Sequence, residues 1–206
     1  MKKLNKFAII KAVNDMYTIA KNEKNELIIK NSRFITLLIK ITNKDEVDNY
    51  LKEIKKNYPK ATHYCYAYKL KNQIKKASDD KEPSGTAGMP MLNILDKENI
   101  TNVLAVTIRY FGGIKLGAGG LIRAYAKSVK EALDISQKIE LITAYIGTIT
   151  FPYSKENEII YQLTNKNILE KSYLENITYK VILPKDHPLI LDKKVNILTE
   201  SYIEKD

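Results

Sequence analysis

Apolar positions along the chain switch between a period near two and a period near 3.6, and the switches delimit the elements. Leu4, Phe7 and Ile10 lie roughly at helical spacing, which predicts a short helix within residues 1–16. Residues 17–41 read as strands, at Tyr17–Ala20, Leu27–Ile29 and Phe34–Ile41, with polar breaks between them. Asn43 then opens a helix. Glu46 follows three residues later, the spacing of a capping box, and Val47, Leu51, Ile54 and Tyr58 make one apolar stripe before Pro59 ends it.

His63–Leu70 is predicted as a strand, with His63, Cys65 and Ala67 on one face and Tyr64, Tyr66 and Tyr68 on the other. The three tyrosines fit packing against a helix better than base stacking. Lys71–Lys76 is polar and reads as a loop or hairpin tip, and Met89–Asp96 as a short helix or turn. Asn102–Phe111 is apolar on both faces, which requires cover on both sides. Ala118–Leu133 is the strongest helix, burying Leu121, Ile122, Tyr125, Val129, Ala132 and Leu133, with Arg123, Lys127 and Lys130 on another face.

A polar stretch at Asp134–Leu141 reads as a boundary, giving domains 1–138 and 139–206. Beyond it, Ile142–Phe151 alternates as a strand and Lys155–Asn167 reads as a helix. Ile168–Leu174 and Ile177–Leu183 form a hairpin turning at Glu175-Asn176. Pro188–Leu198 reads as a second helix and Thr199–Glu204 as a last strand, so the order is βαββαβ, the ferredoxin-like pattern. The fold class is α+β.

The 206 residues are 44% hydrophobic and 28% charged, a globular composition. No apolar run is long enough to cross a bilayer. The basic N-terminus lacks a cleavage site, so no secretory signal is expected. A single cysteine, Cys65, leaves no internal disulfide, which fits a cytoplasmic location. The net charge of +10 is uneven. Residues 1–140 hold 26 basic and 15 acidic side chains, residues 141–206 only 8 and 9. A basic first domain suggests a polyanionic partner, RNA foremost. Compositional drift in a lysine-rich chain is the competing explanation, since only three basic residues are arginine.

Seven of the eight glycines fall in one stretch: Gly85, Gly88, Gly112, Gly113, Gly117, Gly119 and Gly120. Glycine serves where φ must be positive or where backbone must approach closely. After the predicted strand ending at Phe111, GGIKLGAGG leads into the best helix, whose first N–H groups can meet an anion. Arg109, Tyr110, Lys115, Arg123 and Lys127 complete that candidate anion or RNA site; tight helix-to-sheet packing is the alternative. The loop spells neither a Walker motif nor a dinucleotide fingerprint. A second loop holds Asp79, Asp80, Glu82, Ser84, Gly85, Thr86 and Gly88. Its clustered carboxylates can bind Mg²⁺ or share acid–base work; more simply, Asp80 or Glu82 can pair with Arg109 or Arg123, and Ser84 or Thr86 can cap the following helix. Ser84 has no nucleophile context, and His63-x-Cys65 alone is too few ligands for zinc. No catalytic residue, metal or cofactor is expected.

SRFI (Ser32–Ile35), HYCYAY (His63–Tyr68), SDDKEPSGTAGMPML (Ser78–Leu92) and VTIRYFGGIKLGAGGLIRAY (Val106–Tyr125) resemble the YigZ/IMPACT family in order and spacing, with the motif core at 28–134. The resemblance implies a first domain with the two-layer α/β fold of elongation-factor EF-G domain IV, a ribosomal-protein-like fold. It implies a ferredoxin-like second domain similar to EF-G domain V. Lys81 stands where the family usually has glycine, which argues against a turn needing positive φ and alters the surface there.

The resemblance implies a regulator of translation. The expectation is therefore a non-catalytic, two-domain protein that binds RNA, the ribosome or a translation partner through its basic first domain and glycine-rich loop. Two alternatives stay open: a nucleotide- or phosphate-binding enzyme or sensor using the same loop, and a protein–protein adaptor with no anion site.

Overall fold

The structure, a computed structural model, describes residues 16–71 and 74–205. The helix expected near the N-terminus falls outside these residues. The chain divides into two compact units, the first ending at Glu140 and the second beginning at Leu141.

In the first unit β1 (Met16–Ile19) precedes a hairpin of β2 (Glu23–Ile29) and β3 (Ser32–Lys40). Lys30 and Asn31 turn the hairpin with φ of 45° and 61°, the signs of a type I′ turn. The helix α1 (Asp45–Asn57) follows. Asn43 and Glu46 cap it reciprocally: Asn43 Oδ1 accepts from the Asp45 and Glu46 N–H groups, and Glu46 Oε1 accepts from the N–H of Asn43.

Next come β4 (His63–Lys69), β5 (Lys75–Ser78), α2 (Gly88–Lys97), β6 (Val103–Tyr110) and α3 (Ala118–Ile135). The sheet order is β2-β3-β6-β4-β5, antiparallel throughout. Residues 75 and 76, expected in a loop, instead pair as an edge strand. The lysines of that strand suit an edge, where charge discourages further pairing.

Both faces of this sheet are covered, as the apolar faces of β6 require. Phe34, Leu38, Cys65, Ala67, Val103 and Ala105 pack with α2 and α3. Ile35, Ile39, Leu104, Val106 and Ile108 pack with Val47 and Ile54 of α1, and Tyr64, Tyr66 and Tyr68 join that side. The two layers implied by the family resemblance are therefore three here, because α1 has its own buried stripe.

Only Ser136 and Gln137 separate α3 from the long strand β7 (Lys138–Phe151). The Gln137 carbonyl accepts from Ala20, and Lys138 pairs with Glu98, so the stretch read as an open connection is held at both residues. The rest of the second unit comprises α4 (Glu156–Gln162), β8 (Ile168–Tyr173), β9 (Ile177–Pro184), α5 (Pro188–Leu191) and β10 (Asn196–Glu204). Within it β7 lies between β10 and β9, and β8 flanks β9, all antiparallel. Two expectations are corrected. The helix read to Asn167 ends at Gln162, and the helix read to Leu198 is a single turn. Lys193 enters the left-handed region at φ 55°, which stops α5, and residues 196–198 pass into β10.

Candidate functional site

β4 and β6 pair with His63 opposite Arg109, which brings separate motifs of the sequence together at one end of the sheet. Arg109 and Glu82 are both buried, and Nη1 donates to Glu82 Oε1 over 2.6 Å. Tyr125, from the buried face of α3, donates its hydroxyl proton to the same oxygen at 2.8 Å. His63 Nε2 stands 3.7 Å from it, and His63 Nδ1 lies 2.8 Å from the Asp80 carbonyl. The guanidinium sits over the rings of Phe34 and Phe111, 5.4 and 5.5 Å from their centroids. Its Nη2 reaches Ser32 Oγ at 3.4 Å, and its buried Nε has no hydrogen-bond partner among the described residues.

The loop after β5 is fixed by its own acids. Asp79 accepts from the backbone N–H groups of Gly85, Ala87 and Gly88 at 2.8–2.9 Å, so it caps the start of α2. Burial works to raise the Asp79 carboxyl, but these three bonds outweigh it and hold the group below the usual carboxylate value. Neither Ser84 nor Thr86 caps: Ser84 and Gly85 are exposed at the loop tip, and Thr86 donates to the Pro83 carbonyl. Asp80 accepts from the Tyr64 N–H at 2.6 Å. Glu82 N–H donates back to the Asp79 carbonyl, with Asp80 at φ 40° and Lys81 at φ 70° between them. The turn does use positive φ, and lysine occupies it. Cys65 Sγ lies 3.0 Å from the Asp79 carbonyl and 3.3 Å from the Tyr125 hydroxyl, and burial pushes its thiol far up. His63 and Cys65 thus serve the loop's backbone.

The glycine loop runs from Phe111 to Gly117. A Cβ on Gly112 would lie 2.0 Å from the Asn31 carbonyl carbon, so the loop presses against the β2–β3 turn. Gly117, at φ 74°, precedes α3, whose first turn has no acidic residue and no side-chain cap. Gly113, Lys115 and Gly119 are exposed, and Gly120 faces Leu116. The expected set therefore divides. Lys115, Arg123 and Lys127 are exposed, whereas Arg109 is buried and committed to Glu82. Tyr110 belongs to the α1 side of the sheet, its hydroxyl 3.3 Å from the Pro59 carbonyl.

Sequence reasoning does not single out Tyr125 as a partner of Glu82, or Ser32 as a partner of Arg109. The inward stripe of α3 contains the first, but its hydroxyl target depends on strand register. Among the described residues no group of three or more His, Cys, Asp or Glu side chains is arranged to hold a metal ion. No helix of the described residues is long and apolar enough to cross a membrane.

Residues 30–133 match the Impact N-terminal domain. The IMPACT family member YvyE of Bacillus subtilis (strain 168) is 40% identical over 172 residues, covering 82% of this chain and 79% of the relative. The family member YigZ of Escherichia coli (strain K12) is 33% identical over 162 residues, covering 76% and 79%. The crystal structure of a hypothetical protein matches with a TM-score of 0.66 at 28% identity, over 93% of this chain and 98% of the other. Glu82 and Arg109 both lie inside the matched domain, and the chain belongs to the IMPACT family.

Proposed function

We propose that the protein is a non-catalytic, translation-linked regulator in the cytoplasm, binding RNA or the ribosome through its basic first unit. Family membership supports the link to translation. The observation that carries the anion-binding part is a contrast between two helix starts. Asp79 fills the start of α2, whereas α3 opens behind Gly117 with no acidic residue in its first turn and no side-chain cap. Exposed Lys115 and Arg123 flank that start. Arg109 contributes by fixing the neighbouring loop. The βαββαβ order of the second unit supports a ferredoxin-like reading similar to EF-G domain V, and the first unit supports a likeness to domain IV with α1 as an added layer.

RNA affinity followed across a salt series tests this. A phosphate contact predicts a steep fall with salt. Lys115→Ala and Arg123→Ala should each weaken binding by about 1.5–3 kcal/mol, the range for hydrogen bonds to charged groups. Absence of RNA affinity at low salt, or affinity indifferent to salt, would overturn the reading in favour of an adaptor.

A further inference from the structure

Beside the glycine loop lies a depression of about 300 Å³ between the β2–β3 turn and α3. Its apolar lining comes from Ile29, Leu116 and Ala124, with Gly120. Three cations share it, Lys30 from the turn and Arg123 and Lys127 from α3, and among the described residues no carboxylate lines it. Lys127 also pairs with Glu131 at 3.7 Å, whose other carboxylate oxygen accepts from the Asn25 amide of β2 at 3.4 Å. Lys30 is 93 residues away from Arg123 in sequence, and Gly112 lets the glycine loop press closely onto Asn31, the residue after Lys30.

We infer that this depression is a nucleotide subsite for single-stranded RNA. An apolar floor beside a cluster of cations suits a ligand with a flat unpaired base and flanking phosphates. A duplex offers the phosphates but keeps its bases stacked, so it gains only the electrostatic part. A protein partner recognised here would need clustered carboxylates and would show no preference between nucleic-acid strands. The inference rests on the RNA-binding reading above and locates its contact. It adds Lys30, which nothing in the local sequence marks.

The probes are a fluorescent single-stranded RNA of mixed sequence and a duplex of the same length, titrated against the whole protein. The variants are Lys30→Glu, Arg123→Glu and, as a control of equal charge change, Lys56→Glu in α1 on the far side of the sheet. All three side chains are exposed, and equal melting temperatures verify folding. Wild type should prefer the single strand by about tenfold at moderate salt. Lys30→Glu and Arg123→Glu should each lower single-strand affinity about tenfold and make the log–log salt slope shallower by about 0.7 for each phosphate that is no longer neutralised. Lys30→Gln should reproduce the slope change without reversing charge. If Lys30→Glu and Arg123→Glu bind like Lys56→Glu, or if duplex binds as well as single strand, the subsite is wrong while RNA binding stands. If wild type binds neither RNA, the functional reading fails with it.

Discussion

Glu82 Oε1 and Arg109 Nη1 meet at 2.6 Å inside the first unit, joining the loop after β5 to β6, 27 residues on in sequence. Their side chains are 3% and 6% exposed. A buried pair of this kind is costly to break, because the survivor is left as an uncompensated charge. Glu82→Leu or Arg109→Met should therefore each cost about 3–5 kcal/mol of unfolding free energy. The double variant Glu82→Leu/Arg109→Met should recover much of that loss, since neither charge remains. Urea denaturation of the four proteins measures the coupling. Additive losses would mean that the two residues do not act as a pair.

Asp79 holds the start of α2 from nine residues before Gly88. Asp79→Ala should cost about 0.5–2 kcal/mol, as for loss of a helix cap. Its carboxyl titrates below the ordinary value of 3.8, so the unfolded chain takes up the proton first as pH falls. The stability owed to its charge is whole above that ordinary value and is lost as pH drops through the lower native value. Asp79→Asn keeps an acceptor and removes the charge. Its deficit against wild type should be constant near neutrality and should shrink in acid. A deficit unchanged across the acid range would show that charge is not what Asp79 supplies.

The legible parts of the fold were those with long, unambiguous periods. β6 and α3 bury continuous faces, although Ile122, expected on the buried stripe of α3, is exposed. β5 was hidden because Lys75 and Lys76 are exposed edge residues with nothing to bury. α5 was overextended because Leu191, Val195 and Leu198 lie at i, i+4 and i+7, while Lys193 ends the helix through a backbone angle that lysine does not announce. In the site, the glycines marked the loop, and pairing of Glu82 with Arg109 was one of several charge-compatible choices. Register selected it, by setting His63 against Arg109. The Asp79 cap was invisible for a related reason: capping rules look to the adjacent residue, and here the acceptor folds back from β5.

Lys81 carries a testable strain. A side chain at φ 70° pays for a left-handed conformation, roughly 1–2 kcal/mol, that glycine avoids. Glycine loses about 0.5–1 kcal/mol through unfolded-state entropy. Lys81→Gly should thus raise stability slightly, by up to about 1 kcal/mol, and Lys81→Val should lower it more than any exposed substitution nearby. Thermal melts of the two variants beside Ser84→Val make the comparison. Equal behaviour of Lys81→Val and Ser84→Val would place the strain elsewhere.

The glycine loop separates positions that pack from positions that do not. On Gly112 a Cβ would sit 2.0 Å from the Asn31 carbonyl carbon, 2.1 Å from its oxygen and 2.4 Å from Ser32 N. No rotamer relieves contact with backbone, so the β2–β3 turn must move. Gly112→Ala should cost about 1–3 kcal/mol, the usual range for overpacking. The same displacement carries Lys30 away from Arg123, so RNA affinity should fall with stability. Gly119 differs, against the expectation that its helix turn is closely packed. A Cβ there meets only Arg123 Nη1 at 3.5 Å, the far end of a flexible side chain. Gly119→Ala should leave stability unchanged or raise it by up to about 1 kcal/mol through helix propensity. Gly119→Val should also fold, giving back part of that gain through its stiffer χ1. Melting temperature and RNA affinity, measured together, sort the positions. A Gly119→Ala protein as unstable as Gly112→Ala would mean that α3 starts against a neighbour. A stable Gly112→Ala protein with wild-type affinity would mean that the loop does not rest on the Asn31 turn.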